Sequence, residues 1–109
     1  MFERILVVFD GSRPSKEAFW YSLEIACRFG AGLHAVSAIR PSRRQELKKL
    51  IDLAKAEGLT VTSETVRGPA AEHLLAIARK RKADLIVMNQ PGSVSEVLQH
   101  AQCPVLIVR

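Results

Sequence analysis

Two short loops hold the residues whose chemistry stands out. Asp10-Gly-Ser-Arg-Pro14 follows one apolar run, and Asn89-Gln-Pro-Gly-Ser93 follows another. A carboxylate at Asp10 can accept hydrogen bonds from ribose hydroxyls or share a metal ion with phosphate. Its alternative role is an aspartate bonded to the amides of its own turn. Gly92 and Ser93 stand where a helix opens, where unpaired amides attract an anion and glycine permits close approach. Ser93 serves equally well as a plain N-cap. Elsewhere the chemistry is sparse. The P-loop and the dinucleotide GxGxxG patterns are absent, as is the GxSxG nucleophile elbow. His34, His73 and His100 fall on three different elements, without metal-ligand spacing. Cys27 and Cys103 form no CxxC pair and read as small buried apolar residues. No serine, cysteine or histidine has a visible catalytic partner, so the residues give no positive evidence for an enzyme.

The elements around these loops decide where they meet. Residues 4–9 are continuously apolar after Arg4, which suits a strand buried on both faces of a parallel sheet. Helical spacing of Ala18, Phe19, Ser22, Leu23, Ala26 and Phe29 predicts a helix over 15–29, stopped by Gly30. A strand over 33–39 follows. Ser42 and Gln45 then have capping-box spacing for a helix that runs to Glu57 before Gly58. Residues 59–66 alternate and are rich in threonine and valine, as expected of a more polar edge strand. A third helix over 70–82 has Leu74, Leu75, Ile77 and Ala78 on its apolar face. A strand over 85–88, a short capped helix over 93–102 and a strand over 105–108 complete the chain. Strands alternating with helices imply a doubly wound, Rossmann-like α/β sheet with helices on both faces. The expected order of its five parallel strands is 3-2-1-4-5, in one domain over 1–109. Ligands of such sheets bind beyond the carboxyl ends of the strands, at the switch point between strands one and four. The Asp10 loop and the Asn89–Ser93 loop meet there.

Charge adds one further pattern. The 109 residues are 48% hydrophobic and 25% charged, with a net charge of +5, the balance of a globular domain open to anionic partners. Arg13, Arg40, Arg43, Arg44 and Arg67 all follow strand ends, so they are expected to form a basic rim for an anion around the switch point. Arg79-Lys80-Arg81-Lys82 closes the third helix, where cations complement the helix dipole. Phe19, Trp20 and Tyr21 adjoin on the first helix and read as packing rather than as stacking platforms, so nucleic acid is not the expected partner. The apolar runs are too short to cross a bilayer. Asp10 interrupts the first of them, which argues against a signal peptide. No membrane association and a cytoplasmic location are the expectations.

Several stretches together resemble the universal stress protein family over nearly the whole chain. They are Ile5-Leu-Val-Val-Phe-Asp-Gly-Ser12, Ser22-Leu-Glu-Ile-Ala-Cys-Arg-Phe-Gly-Ala31, Ala83-Asp-Leu-Ile-Val-Met88, Gly92-Ser-Val-Ser-Glu-Val-Leu98 and Cys103-Pro-Val-Leu-Ile-Val-Arg109. The resemblance implies a homodimer through the last strand, Val105, Leu106, Ile107 and Val108. It also implies ATP, with magnesium, as the candidate cofactor of those members that carry G-x2-G-x9-G and a Ser or Thr after strand four. Asp10, Gly92, Ser93 and Val94 carry over as nucleotide or anion contacts. The chain departs from the pattern at the loop itself. Asn89 replaces the first glycine, and about ten residues before Gly92 are missing. A phosphoreceiver domain shares the element order, but strand three is followed by Arg67 rather than by an aspartate. The expectation is therefore a small, non-enzymatic stress-response or association module with at most weak nucleotide or anion binding. The alternative is an ATP-binding member with slow hydrolysis, its short loop completed by a partner chain.

Overall fold

A computed structural model describes residues 1–37, 44–67, 71–89 and 94–109. The chain runs β1 (Arg4–Phe9), α1 (Arg13–Phe29), β2 (Gly32–Ser37), α2 (Arg44–Ala56), β3 (Val61–Thr65), α3 (Ala71–Arg81), β4 (Leu85–Asn89), α4 (Val94–His100) and β5 (Val105–Val108). The five strands form one sheet in the order β3-β2-β1-β4-β5. All its pairings are parallel, with Val7 opposite Ala35 on one side and Val87 on the other. The expected topology is the observed one.

The apolar run of β1 is explained by layers on both faces. Ile5, Val7 and Phe9 pack with Ala18, Phe19, Leu23 and Ala26 of α1 and Leu47, Leu50 and Ala54 of α2. Leu6 and Val8 pack on the other face with Leu74, Ile77 and Ala78 of α3 and Val97 of α4. Every residue from Ile5 to Phe9 is buried, which a strand covered on one face only could not achieve. Phe19 is wholly buried, and burying a side chain of that size contributes about 2–3 kcal/mol. Asp84 pins the opening of β4 to that of β1. Its carboxylate accepts from the amides of Glu3 at 2.8 Å and Arg4 at 3.1 Å, and its own amide donates to the Arg4 carbonyl at 2.8 Å.

Local rules explain where the elements differ from expectation. α1 opens at Arg13, not at 15, because Ser12 Oγ accepts from the Ser15 amide at 3.3 Å and Pro14 is tolerated in the first turn. α4 ends at His100 rather than at 102, and β3 covers 61–65 rather than 59–66. The expected Ser42 cap lies outside the described residues. The buried stripe of α1 is Ser15, Ala18, Phe19, Ser22, Leu23 and Ala26. Cys27, Trp20 and Tyr21 each sit one helical step round from that stripe. Cys27 is therefore exposed, against expectation, and Cys103 is half-buried. Of the three adjoining aromatics only Phe19 packs inside, while Trp20 and Tyr21 are 47% and 54% exposed. Phe29 also lies outside, edge-on to Phe2 at 5.3 Å.

Candidate switch-point site

β1 and β4 are neighbours, yet the chain leaves them for opposite faces, β1 into α1 and β4 into α4. Their carboxyl ends thus diverge around a crevice, as the sheet order requires. Asp10 stands at the end of β1 and Asn89 closes β4. Asp10 Oδ1 accepts from the Ser12 amide at 2.8 Å. The Asn89 side-chain amide reaches across and donates to Asp10 Oδ2 and to Ser12 Oγ, both at 3.4 Å. Ser15 completes the loop. Its hydroxyl donates to the Ser12 carbonyl at 2.9 Å and accepts from the Asp10 amide at 3.3 Å. Partial burial raises the Asp10 carboxyl pKa, but the hydrogen bonds from Ser12, Ser15 and Asn89 outweigh it and hold the group below its usual range. Asp10 is thus an ionised acceptor already engaged by its own loop and by β4.

Asn89 is what the residue patterns missed. They registered it only as a replaced glycine, whereas it is the buried link between the two loops. A polar residue ending an apolar strand, opposite a turn aspartate on the neighbouring strand, was the available signal. Of the remaining expected contacts, Gly92 and Ser93 lie outside the described residues, and Val94 opens α4. Three of the five arginines expected to form a basic rim lie within the described residues. Arg13 is exposed and faces Glu17 of its own helix at 3.7 Å, so one of its charges is answered locally. Arg44 opens α2 and Arg67 follows β3, and both are exposed. Arg40 and Arg43 lie outside the described residues. Among the described residues no three His, Cys, Asp or Glu side chains gather to hold a metal ion, and no helix is long and apolar enough to cross a membrane.

A second polar cluster sits beneath β2 and β3, on the α3 face. His34 is buried, with Nδ1 2.6 Å from Thr62 Oγ1 and Nε2 2.7 Å from Glu64 Oε1. Nε2 donates to the Glu64 carboxylate, and Nδ1 shares a hydrogen bond with the Thr62 hydroxyl. Both ring nitrogens are engaged, so this histidine packs and pins β3 rather than offering a ligand.

A five-stranded doubly wound sheet with an aspartate at its switch point defines a class of nucleotide-fold α/β domains. The family model for the universal stress protein family matches residues 1–57 and 41–109. This chain belongs to that family. It is 31% identical to a universal stress protein of Thermus aquaticus, with all of both chains covered. That alignment runs over 137 positions against 109 residues, so at least 28 positions have no counterpart here. It is also similar to the crystal structure of a universal stress protein family member from Burkholderia pseudomallei. The identity is 31%, the TM-score 0.75, and 98% and 96% of the two chains are covered. A universal stress protein solved in complex with cAMP is 28% identical, with a TM-score of 0.82 over 99% of this chain and 97% of the other.

Proposed function

We propose that this universal stress protein acts by association, pairing with a copy of itself through β5, and holds a nucleotide or other anion only weakly at the switch point. The observation that carries the reading is Asn89 on Asp10. The nucleotide-binding pattern has a glycine at that position, which would leave the carboxylate open and let a ligand approach the backbone. Here a ribose hydroxyl must displace the asparagine amide before it reaches Asp10. The displaced bond is long and weak, so the site stays accessible, but the gain over the free state is small. The missing loop residues remove most of the amides that could cradle a triphosphate. The relative solved with cAMP supports a purine nucleotide as the ligand class.

β5 supports the pairing. It is an outer strand of four branched apolar residues, with Val105, Leu106 and Ile107 half-buried and no charge or proline inside it. Such an edge pairs with another strand unless something blocks it.

Calorimetric titration of nucleotide-stripped protein with Mg-ATP and with cAMP tests the site. We expect dissociation constants well above 1 μM, weaker still in Asp10→Ala, and tightened about tenfold in Asn89→Gly as the carboxylate is uncovered. Micromolar ATP binding with turnover by the unaltered chain would sink the reading in favour of an ATP hydrolase.

A further inference from the structure

Three helices of this chain end on a residue with left-handed backbone. After α1 it is Gly30, φ 68°, and after α2 it is Gly58, φ 87°. After α3 it is Lys82, φ 56°. The hydrogen bonds at that end are of the same kind as at the others. The Lys82 amide donates to the Arg79 carbonyl at 3.1 Å and the Ala83 amide to the Ala78 carbonyl at 2.9 Å, the double closure of a Schellman turn. Glycine is the residue that geometry favours, and a lysine there stores backbone strain. A local rule broken at one of three equivalent ends points to a use for the side chain.

Lys82 stands on the rim of a cavity of about 420 Å³ between α3 and the turn from α4 to β5, at the opposite end of β4 from Asp10. Its floor is apolar, made by Leu75, Ala78 and Ile86. Arg79 and His100 share the rim with Lys82, and among the described residues no acidic side chain lines it. Among the described residues Arg79 and Lys82 have no ion-pair partner. The cavity beside β3 differs, because Glu64 stands among its lining residues with Lys80 and Arg81. An apolar floor under a cationic rim, with Asp84 near enough to help raise the Cys103 thiol pKa but outside the lining, fits a ligand with an apolar body and one anionic end. The rim lies where helices end, so it offers side-chain cations but no nest of amides. That suits a singly charged carboxylate better than a phosphate dianion.

We propose that this groove binds a medium-chain monocarboxylate, its tail on Leu75, Ala78 and Ile86 and its carboxylate held by Arg79 and Lys82. The site is separate from the switch point and does not depend on nucleotide binding there.

Octanoate titrated into the full chain, followed by amide chemical shifts, tests it. The expected result is saturable binding with shifts centred on Leu75, Ala78, Ile86 and Ala101. Cys103 lines the same cavity, so its alkylation should slow on binding while that of exposed Cys27 does not. Lys82→Gly should weaken octanoate about tenfold, yet raise Tm by a few degrees, because glycine relieves the left-handed strain. That pairing separates a lost ligand contact from a damaged fold. Arg79→Gln should also weaken octanoate. Octylamine, with the opposite charge, should not compete. Unsaturated shifts, equal affinity in Lys82→Gly, or the same shifts from inorganic phosphate alone would each overturn the proposal.

Discussion

The two outer strands of the sheet leave the same backbone groups unpaired and clothe them differently. β3 reads Val-Thr-Ser-Glu-Thr, with Thr62, Ser63 and Thr65 exposed, whereas β5 reads Val-Leu-Ile-Val. The hydroxyls and carboxylate of β3 are solvated or turned inward. Thr62 and Glu64 engage His34, and Thr65 Oγ1 lies 3.2 Å from Ser37 Oγ. β5 offers no such diversion. On the proposed pairing, side-chain chemistry rather than the free hydrogen-bonding row is what distinguishes the two edges.

The largest expected effect is at β5. The Ile86 amide donates to the Pro104 carbonyl, and Ile86 lies opposite Val105. In a parallel ladder the amides of Val105 and Ile107 then point outward, to the free edge. Ile107→Pro should remove an outward donor without breaking a bond to β4. We expect sedimentation equilibrium to show dimer affinity falling about 100-fold or more, the equivalent of some 3 kcal/mol. Leu106→Asp should behave alike. Undiminished self-association in both variants would mean that β5 is not the pairing edge.

Next in size is the lock on β3. His34→Ala leaves a gap under the sheet and deprives Glu64 and Thr62 of their partner. It should cost about 2 kcal/mol, which for a domain this small lowers Tm by roughly 10 °C. His34→Gln should recover part of the loss. If the edges are as distinct as their side chains suggest, neither change alters dimer affinity in protein that remains folded.

The contrast between the edges was largely legible in the amino-acid sequence. Alternation in 59–66 marked a polar edge, and the unbroken Val105-Leu-Ile-Val108 marked an apolar one. Alternating elements and right-handed crossovers narrowed the topologies to a few, among which the observed strand order was the expected one. The side-chain pairings were not legible, because they join residues distant in the chain. His34 meets Glu64 only once β2 and β3 are in register, and Asn89 meets Asp10 only once β1 and β4 are adjacent. The fate of Cys27 and Trp20 turned on one helical step, about 100° of rotation, which a list of apolar residues does not resolve. Lys82 is a different case. A basic run at a helix end has a sufficient explanation in the dipole, and that explanation concealed the left-handed backbone.

A smaller effect would come from erasing the polarity of β3. Ser63→Val with Thr65→Val gives that strand an apolar outer row like that of β5. Each cross-strand change is worth only tenths of a kcal/mol to the fold, but Thr65→Val also removes the hydroxyl beside buried Ser37, so Tm should fall by a few degrees. Association should change in kind, however. The doubly substituted chain should form species larger than the dimer at high concentration, read by light scattering. Ile107→Pro in the same chain should then leave dimers joined through β3. If the variant stays no larger than the original, hydroxyl-bearing side chains are not what keeps β3 unpaired.

The smallest expected effect lies between the edges, at Asp10. Its carboxyl is held below the usual range in the folded protein by Ser12, Ser15 and Asn89. A depressed folded pKa means that the unfolded chain takes up the proton first as pH falls. The stabilisation is therefore present above about pH 4, the unfolded value, and is lost as pH drops through the folded one. Asp10→Asn keeps the shape and removes the charge, so its urea midpoint should lie slightly below that of the original at pH 7. The two should converge as pH falls through the folded value, where the original is also protonated. The gap is small because solvent reaches the carboxylate and screens it. Dimer affinity should not follow it, since Asp10 lies on the central strand, away from both edges. A gap that does not shrink as pH falls would assign it to altered loop packing and leave the ionised carboxylate with no part in holding β1 to β4.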